Sequence, residues 1–263
     1  MGAQIAALVR SHLFDRRRSI LAWGLPLGLM SAFIVAIFPS VEDALSKAIE
    51  NYPSGLKEAF GIGELSNVEQ YLHAEMLSLI VPLAAGYLAV RAVASGLAGA
   101  AESGRLDVLL SAPVSRRRLC AAGFLATAIE LAAVLVVTLL LTGLGSLLSG
   151  AGLAAGPALA GFANVWPLAL LFAGLGVVAC GLSLRTSVVT GSVAGVLVAM
   201  YVIDLIGKLD PGLSWVRYLS VFRYYGNAIE DGIEPLAFCG VTAAAIGLAL
   251  IGGWLFDRRD ISA

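Results

Sequence analysis

Charge is scarce in this sequence. Of its 263 residues only 13% are Asp, Glu, Lys or Arg, and lysine occurs three times, at Lys47, Lys57 and Lys208. A soluble chain carries roughly 25% charge, so this deficit, combined with 59% hydrophobic residues, excludes a soluble domain, a disordered chain and a nucleic-acid binder. Cysteine is equally thin. Cys120, Cys180 and Cys239 stand far apart with no C-x-x-C, and with only two histidines they indicate neither a disulfide framework nor a zinc site. A G-x-x-x-x-G-K-[ST] phosphate loop is missing too: the only Gly-Lys pair, Gly207-Lys208, is followed by Leu209, so the chain does not bind ATP by that route.

What is present is long charge-free sequence. A bilayer core of about 30 Å needs about 20 apolar residues in a helix, and six such stretches are predicted, at about 19–40, 74–100, 117–142, 162–184, 186–206 and 235–256. The Gly- and Pro-bearing segment between Gly143 and Pro167 divides a run too long for one span. Arg16 to Pro39 has the basic flank of a signal peptide. Its apolar run exceeds the usual ~7–15 residues and no A-x-A site follows, so it is read as an uncleaved span.

Basic residues set the orientation. With the N-terminus in the cytoplasm, twelve fall on inner segments, among them Arg10, Arg16, Arg17, Arg18, Arg91, Arg105, Arg116, Arg117 and Arg118. Five fall outside: Lys47, Lys57, Lys208, Arg217 and Arg223. Both termini are then cytoplasmic, in a multi-pass membrane protein. The expected architecture is a single all-α transmembrane domain over 1–263, with six membrane-crossing helices, an N-terminal interfacial helix (1–18), a cytoplasmic loop helix (101–116) and short outer amphipathic helices.

The interfacial helix rests on Ile5, Leu8, Val9 and Leu13 sharing one face. An outer amphipathic run follows from Val41, Leu45, Ala48, Ile49 and Tyr52, ended by Pro53. Ser66-Asn67-Val68-Glu69 has the form of a capping box, which starts the second span's helix near Asn67 and sets His73 on its surface extension. Trp215, Tyr218, Phe222 and Tyr225, at steps of three, four and three, form an aromatic stripe on a short outer helix. It serves either as an interfacial anchor or as a lid over a substrate exit. Gly191 and Gly195 make a GxxxG pair on the fifth span, a weak pointer to a packing seam.

One carboxylate lies inside a span. Glu130 is about 16 Å along the third helix counted from Leu119, near mid-bilayer, where an ionised group needs a partner or takes up a proton. No basic residue is expected at matching depth; Thr127 is the neighbour within one turn, and Thr138 lies farther along. A substrate cavity or proton-linked gate and a neutral structural hydrogen bond both remain open.

The loop between spans two and three reads Glu102-Ser103-Gly104-Arg105-Leu106-Asp107-Val108-Leu109-Leu110-Ser111-Ala112-Pro113-Val114-Ser115-Arg116. Leu106, Leu109 and Leu110 fall at i, i+3 and i+4, Gly104 breaks the preceding helix and Pro113 stops the next, so a two-turn helix with an apolar ridge is predicted. Such a ridge on a short rigid helix fits a groove in another protein; a plain linker between spans is the alternative.

This run resembles the coupling-helix region of ABC-2 type transporter permeases, with its E-x-G-x-L-x-x-L-L-x-x-P-V-x-R pattern. Leu56-Lys57-Glu58-Ala59-Phe60-Gly61 and the stretch from Tyr71 to Pro82 are similar to that family's first outer loop. Leu219-Ser220-Val221-Phe222-Arg223-Tyr224-Tyr225 resembles its L-S-P-F-x-Y-Y stretch, with Val221 in place of proline, and Phe256-Asp257-Arg258-Arg259-Asp260-Ile261 resembles its ending. The resemblance implies a six-helix exporter subunit of amphipathic or hydrophobic compounds that pairs with a second permease copy or paralogue. It implies a separate ATP-binding subunit that carries the ATP and Mg, so this chain is no enzyme and holds no cofactor. Glu102, Gly104, Leu106, Leu109, Leu110, Pro113 and Arg116 would then form or frame the knob seated in the ATPase. A non-transporting scaffold or sensor subunit of an ATPase complex is the alternative. An intramembrane hydrolase would need a nucleophile or metal ligands beside Glu130, and His12 and His73 lie at the membrane borders.

Overall fold

The computed structural model describes residues 2–50, 67–104 and 115–258, and no strand occurs among them. Among the described residues six helical stretches are apolar and long enough to cross a membrane: Arg16–Glu42, Val68–Glu102, Arg116–Ser149, Ala155–Leu182, Thr186–Leu209 and Pro235–Asp257. Helix is the form that satisfies every backbone N–H and C=O within its own segment, which hydrocarbon demands. The molecule is an all-α membrane protein.

The first helix, α1 (Gly2–Glu50), runs through the expected surface helix, the first span and the start of the outer amphipathic run without a break. Pro26 and Pro39 lie inside it; each withholds one N–H, and the helix continues through both. The side chains of residues 2–15 and 43–50, and with them the proposed apolar faces, lie outside the description.

Next come α2 (Val68–Leu72), a π turn (His73–Leu77) and α3 (Ile80–Glu102). The helix starts at Asn67 as expected, but the cap differs from the capping box. Asn67 itself accepts the N–H of Gln70 at 2.9 Å. Ser66 lies outside the described residues, and Glu69 reaches 85 positions along the chain to accept the N–H of Ala154 at 2.8 Å. His73 is buried rather than at the surface, because the π turn that carries it packs against the bundle.

The remaining spans are α4 (Arg116–Ser149), α5 (Ala155–Leu182), α6 (Thr186–Leu209) and α9 (Pro235–Asp257). Between the last two lie a 3-10 helix (Pro211–Leu219), α7 (Phe222–Tyr225) and α8 (Ala228–Asp231). α5 is the hub, packed by α3, α4 and α9, while α1 lies against α4 and α6 against α3.

Glycines line two close helix seams. A Cβ on Gly24 would stand 3.0 Å from Val137, one on Gly28 2.6 Å from Leu141, and one on Gly145 2.7 Å from the Ala32 carbonyl oxygen. These three pairs share an offset of 113 positions, so α1 and α4 run parallel in a single register. Gly174 and Gly252 likewise meet backbone atoms of α9 and α5, at 2.6 Å from the Ala245 oxygen and 2.5 Å from the Val178 nitrogen. The expected GxxxG pair behaves differently: Gly191 and Gly195 have nothing within 4 Å of where a Cβ would stand.

Candidate functional site

The α1–α4 register decides the surroundings of Glu130. An offset of 113 sets Arg16 level with residue 129, and the guanidinium closes on the Glu130 carboxylate at 2.9 Å. The expectation that no basic residue reaches this depth is therefore wrong. It assumed that Arg16 marks the membrane border, whereas α4 runs fourteen residues, or ~21 Å, from Arg116 before it reaches Glu130.

The pair is nearly sealed, with the side chain of Arg16 11% exposed and that of Glu130 1%. Arg16 also donates to Thr127 Oγ1 at 2.8 Å and to the Ala92 carbonyl of α3 at 2.7 Å, so one guanidinium joins three helices. A buried charge pair is tolerable only when its spare donors and acceptors are satisfied in this way. Thr138, by contrast, turns to the Val134 carbonyl of its own helix.

The pair lines a cavity of about 350 Å³ between α1 and α3, together with Arg18, Ser19, Trp23, Arg91 and Ser95. A second cavity, about 330 Å³, is wholly apolar and lies among α4, α5 and α9, with Leu135, Leu139, Phe162, Trp166 and Phe238 on its walls. Trp166 Nε1 is satisfied by the Ala128 carbonyl at 2.9 Å.

Of the coupling-loop residues, Leu106, Leu109, Leu110 and Pro113 lie outside the described residues. The loop's two anchors are described. Glu102, the last residue of α3, accepts the Thr186 N–H at 3.0 Å and the Thr186 hydroxyl at 2.6 Å, capping the N-terminus of α6 from another helix. Gly104 follows at φ +70°, a left-handed conformation that favours glycine. Arg116 opens α4, and its neighbour Arg117 pairs with Asp257 at the end of α9 at 2.9 Å.

On the opposite side the aromatic stripe divides. The backbone changes from 3-10 helix to an extended residue at Ser220 before α7, so the 3-4-3 spacing never winds onto one helical face. Trp215 and Tyr218 are exposed, whereas Phe222 is buried and Tyr225 turns inward. The Tyr225 hydroxyl donates to the Leu77 carbonyl at 3.0 Å, its own carbonyl accepts from Asn164 at 2.6 Å, and burial pushes its phenol up from the usual range. The sequence reading also missed Asp204. This buried carboxylate of α6 meets Lys208 and Arg217, each at 2.9 Å, and ties the 3-10 helix to the span. An acidic residue four before a lysine was the available signal.

Residues 12–257 match the family described as "Multidrug efflux system permease Rv1217c, C-terminal domain". The chain belongs to this family. The match takes in all six candidate spans, the Arg16–Glu130 ion pair and both ends of the loop between α3 and α4. No curated protein matches the chain significantly. Membership of an efflux permease family and six apolar helices together make this a membrane-spanning transport protein.

Proposed function

We propose that the chain is the permease subunit of an ABC-2 type exporter, moving amphipathic or hydrophobic compounds with energy from a separate ATP-binding subunit. The family match over 12–257 carries this reading, since it assigns an efflux role to the whole bundle rather than to one motif. The resemblance of the loop after Glu102 to a coupling helix supplies the ABC-2 type and the partner.

The geometry supports a route for the energy. A push on the loop acts at its two ends, on α3 through Glu102 and on α4 through Arg116, and Glu102 is bonded directly to the first turn of α6. Rigid helices carry such a displacement along their length, so three spans respond to one loop. The apolar cavity of about 330 Å³ is of small-ligand size and suits a hydrophobic compound. Two copies of the chain, or this chain and a paralogue, would complete the path, with both termini in the cytoplasm of the bacterial inner membrane.

Replacing Leu109 and Leu110 together with Asp tests the reading. The variant should insert in the membrane as the wild type does, lose association with the ATP-binding subunit in pull-down, and lose ATP-driven export from inverted vesicles. Retained association together with retained export refutes it. Copurification of an ATPase whose hydrolysis no compound stimulates would favour the scaffold or sensor reading.

A further inference from the structure

We propose that the cavity between α1 and α3 binds the anionic phosphate headgroup of a bilayer lipid, held by Arg18 and Arg91. The inference rests on the membrane-spanning bundle alone and stands whether or not the chain exports through an ABC-2 mechanism.

The charge balance of the cavity is the starting point. Three arginines and one glutamate line it, and Arg16 is consumed: its N–H groups go to Glu130, Thr127 and the Ala92 carbonyl. Arg18 and Arg91 have no hydrogen bond or ion pair among the described residues, and no described carboxylate stands against the two positive charges they bring to the cavity walls. Both side chains are exposed.

Their position makes this arrangement costly without a ligand. Arg91 lies eleven residues before the end of α3 and Arg18 faces it from two residues past the start of the apolar stretch Arg16–Glu42, so both stand toward the end of the bundle that carries the loop between α3 and α4. Guanidinium groups at such a level are expensive in hydrocarbon unless an anion or water reaches them. A lipid phosphate is the anion a bilayer supplies, and basic pockets between transmembrane helices are suited to such headgroups. Planar guanidinium groups also match phosphate oxygens in two-point hydrogen bonds, and Ser19 adds a hydroxyl to the wall.

The surface beside the cavity fits the rest of the molecule. Leu21 and Leu25 are 53% and 42% exposed on α1, and Tyr87 is 39% exposed on α3, one helical turn from Arg91. Acyl chains can lie along these residues while the phosphate sits between the arginines. A free phosphate ion has no use for that apolar border, which favours the lipid as the source. The volume of about 350 Å³ lies within the range of small-ligand sites.

Native mass spectrometry of the purified full chain, delipidated and then titrated with phosphatidylglycerol or phosphatidylcholine, tests the proposal. Phosphatidylglycerol should be retained roughly tenfold better than phosphatidylcholine, and Arg18→Gln with Arg91→Gln should bring the two to parity. Ser95→Glu keeps both arginines and sets a carboxylate in the same cavity, so it should abolish the preference by itself. Equal retention of the two lipids by the wild type overturns the proposal. So does a preference that survives both the double variant and Ser95→Glu. Glycerol 1-phosphate provides the third arm: if it binds the wild type as well as the lipid does, the site takes a soluble phosphate and the lipid assignment fails.

Discussion

Arg16 and Glu130 meet at 2.9 Å across 114 positions of sequence, and the guanidinium that makes this contact also reaches the Ala92 carbonyl of α3. A charge fourteen residues into α1 is thereby brought to the middle of α4. The pairing makes the acid that stood alone in the sequence of the third span one node of a three-helix junction.

Removing either partner should be far worse than removing both. Glu130→Leu or Arg16→Leu leaves an uncompensated buried charge and should cost ~3–5 kcal/mol, whereas the double variant should recover most of that loss. Unfolding of the detergent-solubilised protein, run as a double-mutant cycle, measures the coupling. Additive single effects would show that the pair contributes nothing as a pair.

The glycine seam makes a second prediction. Gly145→Ala sets a methyl against the Ala32 carbonyl oxygen, a backbone atom that cannot rotate away, and should destabilise the protein by ~1–3 kcal/mol. Gly191→Ala and Gly195→Ala add methyls in open space and should leave monomer stability unchanged or slightly raised. Similar melting temperatures for all three variants would contradict this register.

Glu102→Ala should free the first turn of α6. Hydrogen exchange at the N-terminal amides of α6, from Thr186 onward, should accelerate in this variant while those of the α5 core stay protected. Thr186→Val should produce a weaker version of the same change, since it loses only the hydroxyl contact. Unaltered exchange in Glu102→Ala would show that the cap does not hold the helix.

Asp204 makes the fourth prediction. Asp204→Ala leaves Arg217 without its carboxylate and should release the 3-10 helix over Pro211–Leu219, exposing it to limited proteolysis. Lys208→Ala keeps the Arg217 contact and should cleave at the wild-type rate. Equal resistance of Asp204→Ala and wild type would place the anchoring elsewhere, in the Ser220 hydroxyl bond to the Met200 carbonyl at 2.7 Å.

That the chain holds six apolar helices long enough to cross a membrane is a property of the sequence alone. Whether twenty residues can reside in hydrocarbon depends on their composition, and helix is the form such a segment takes, so no knowledge of neighbours is needed. The start near Asn67 was legible for a related reason, because caps act between residues three apart, although the bond formed is Asn67 with Gln70 and Glu69 of the expected box turns to Ala154 instead. Glu130 could be singled out as an acid within a span, and Glu102 as the edge of the loop.

Their partners could not be read, since each lies on another helix. Which residue faces Glu130 is decided by the parallel register of α1 and α4, and that register is fixed where Gly24, Gly28 and Gly145 let the two backbones approach. The same holds for Glu69 on Ala154 and Glu102 on Thr186, carboxylates that look local in sequence and act 85 and 84 positions away. The aromatic stripe failed for a different reason: its 3-4-3 spacing presumed α-helical winding, and the chain breaks at Ser220. Hydrophobicity along the chain thus determined what crosses the membrane. Only close packing between helices decided which charges meet inside it, because that depends on surface shape shared by segments far apart in sequence.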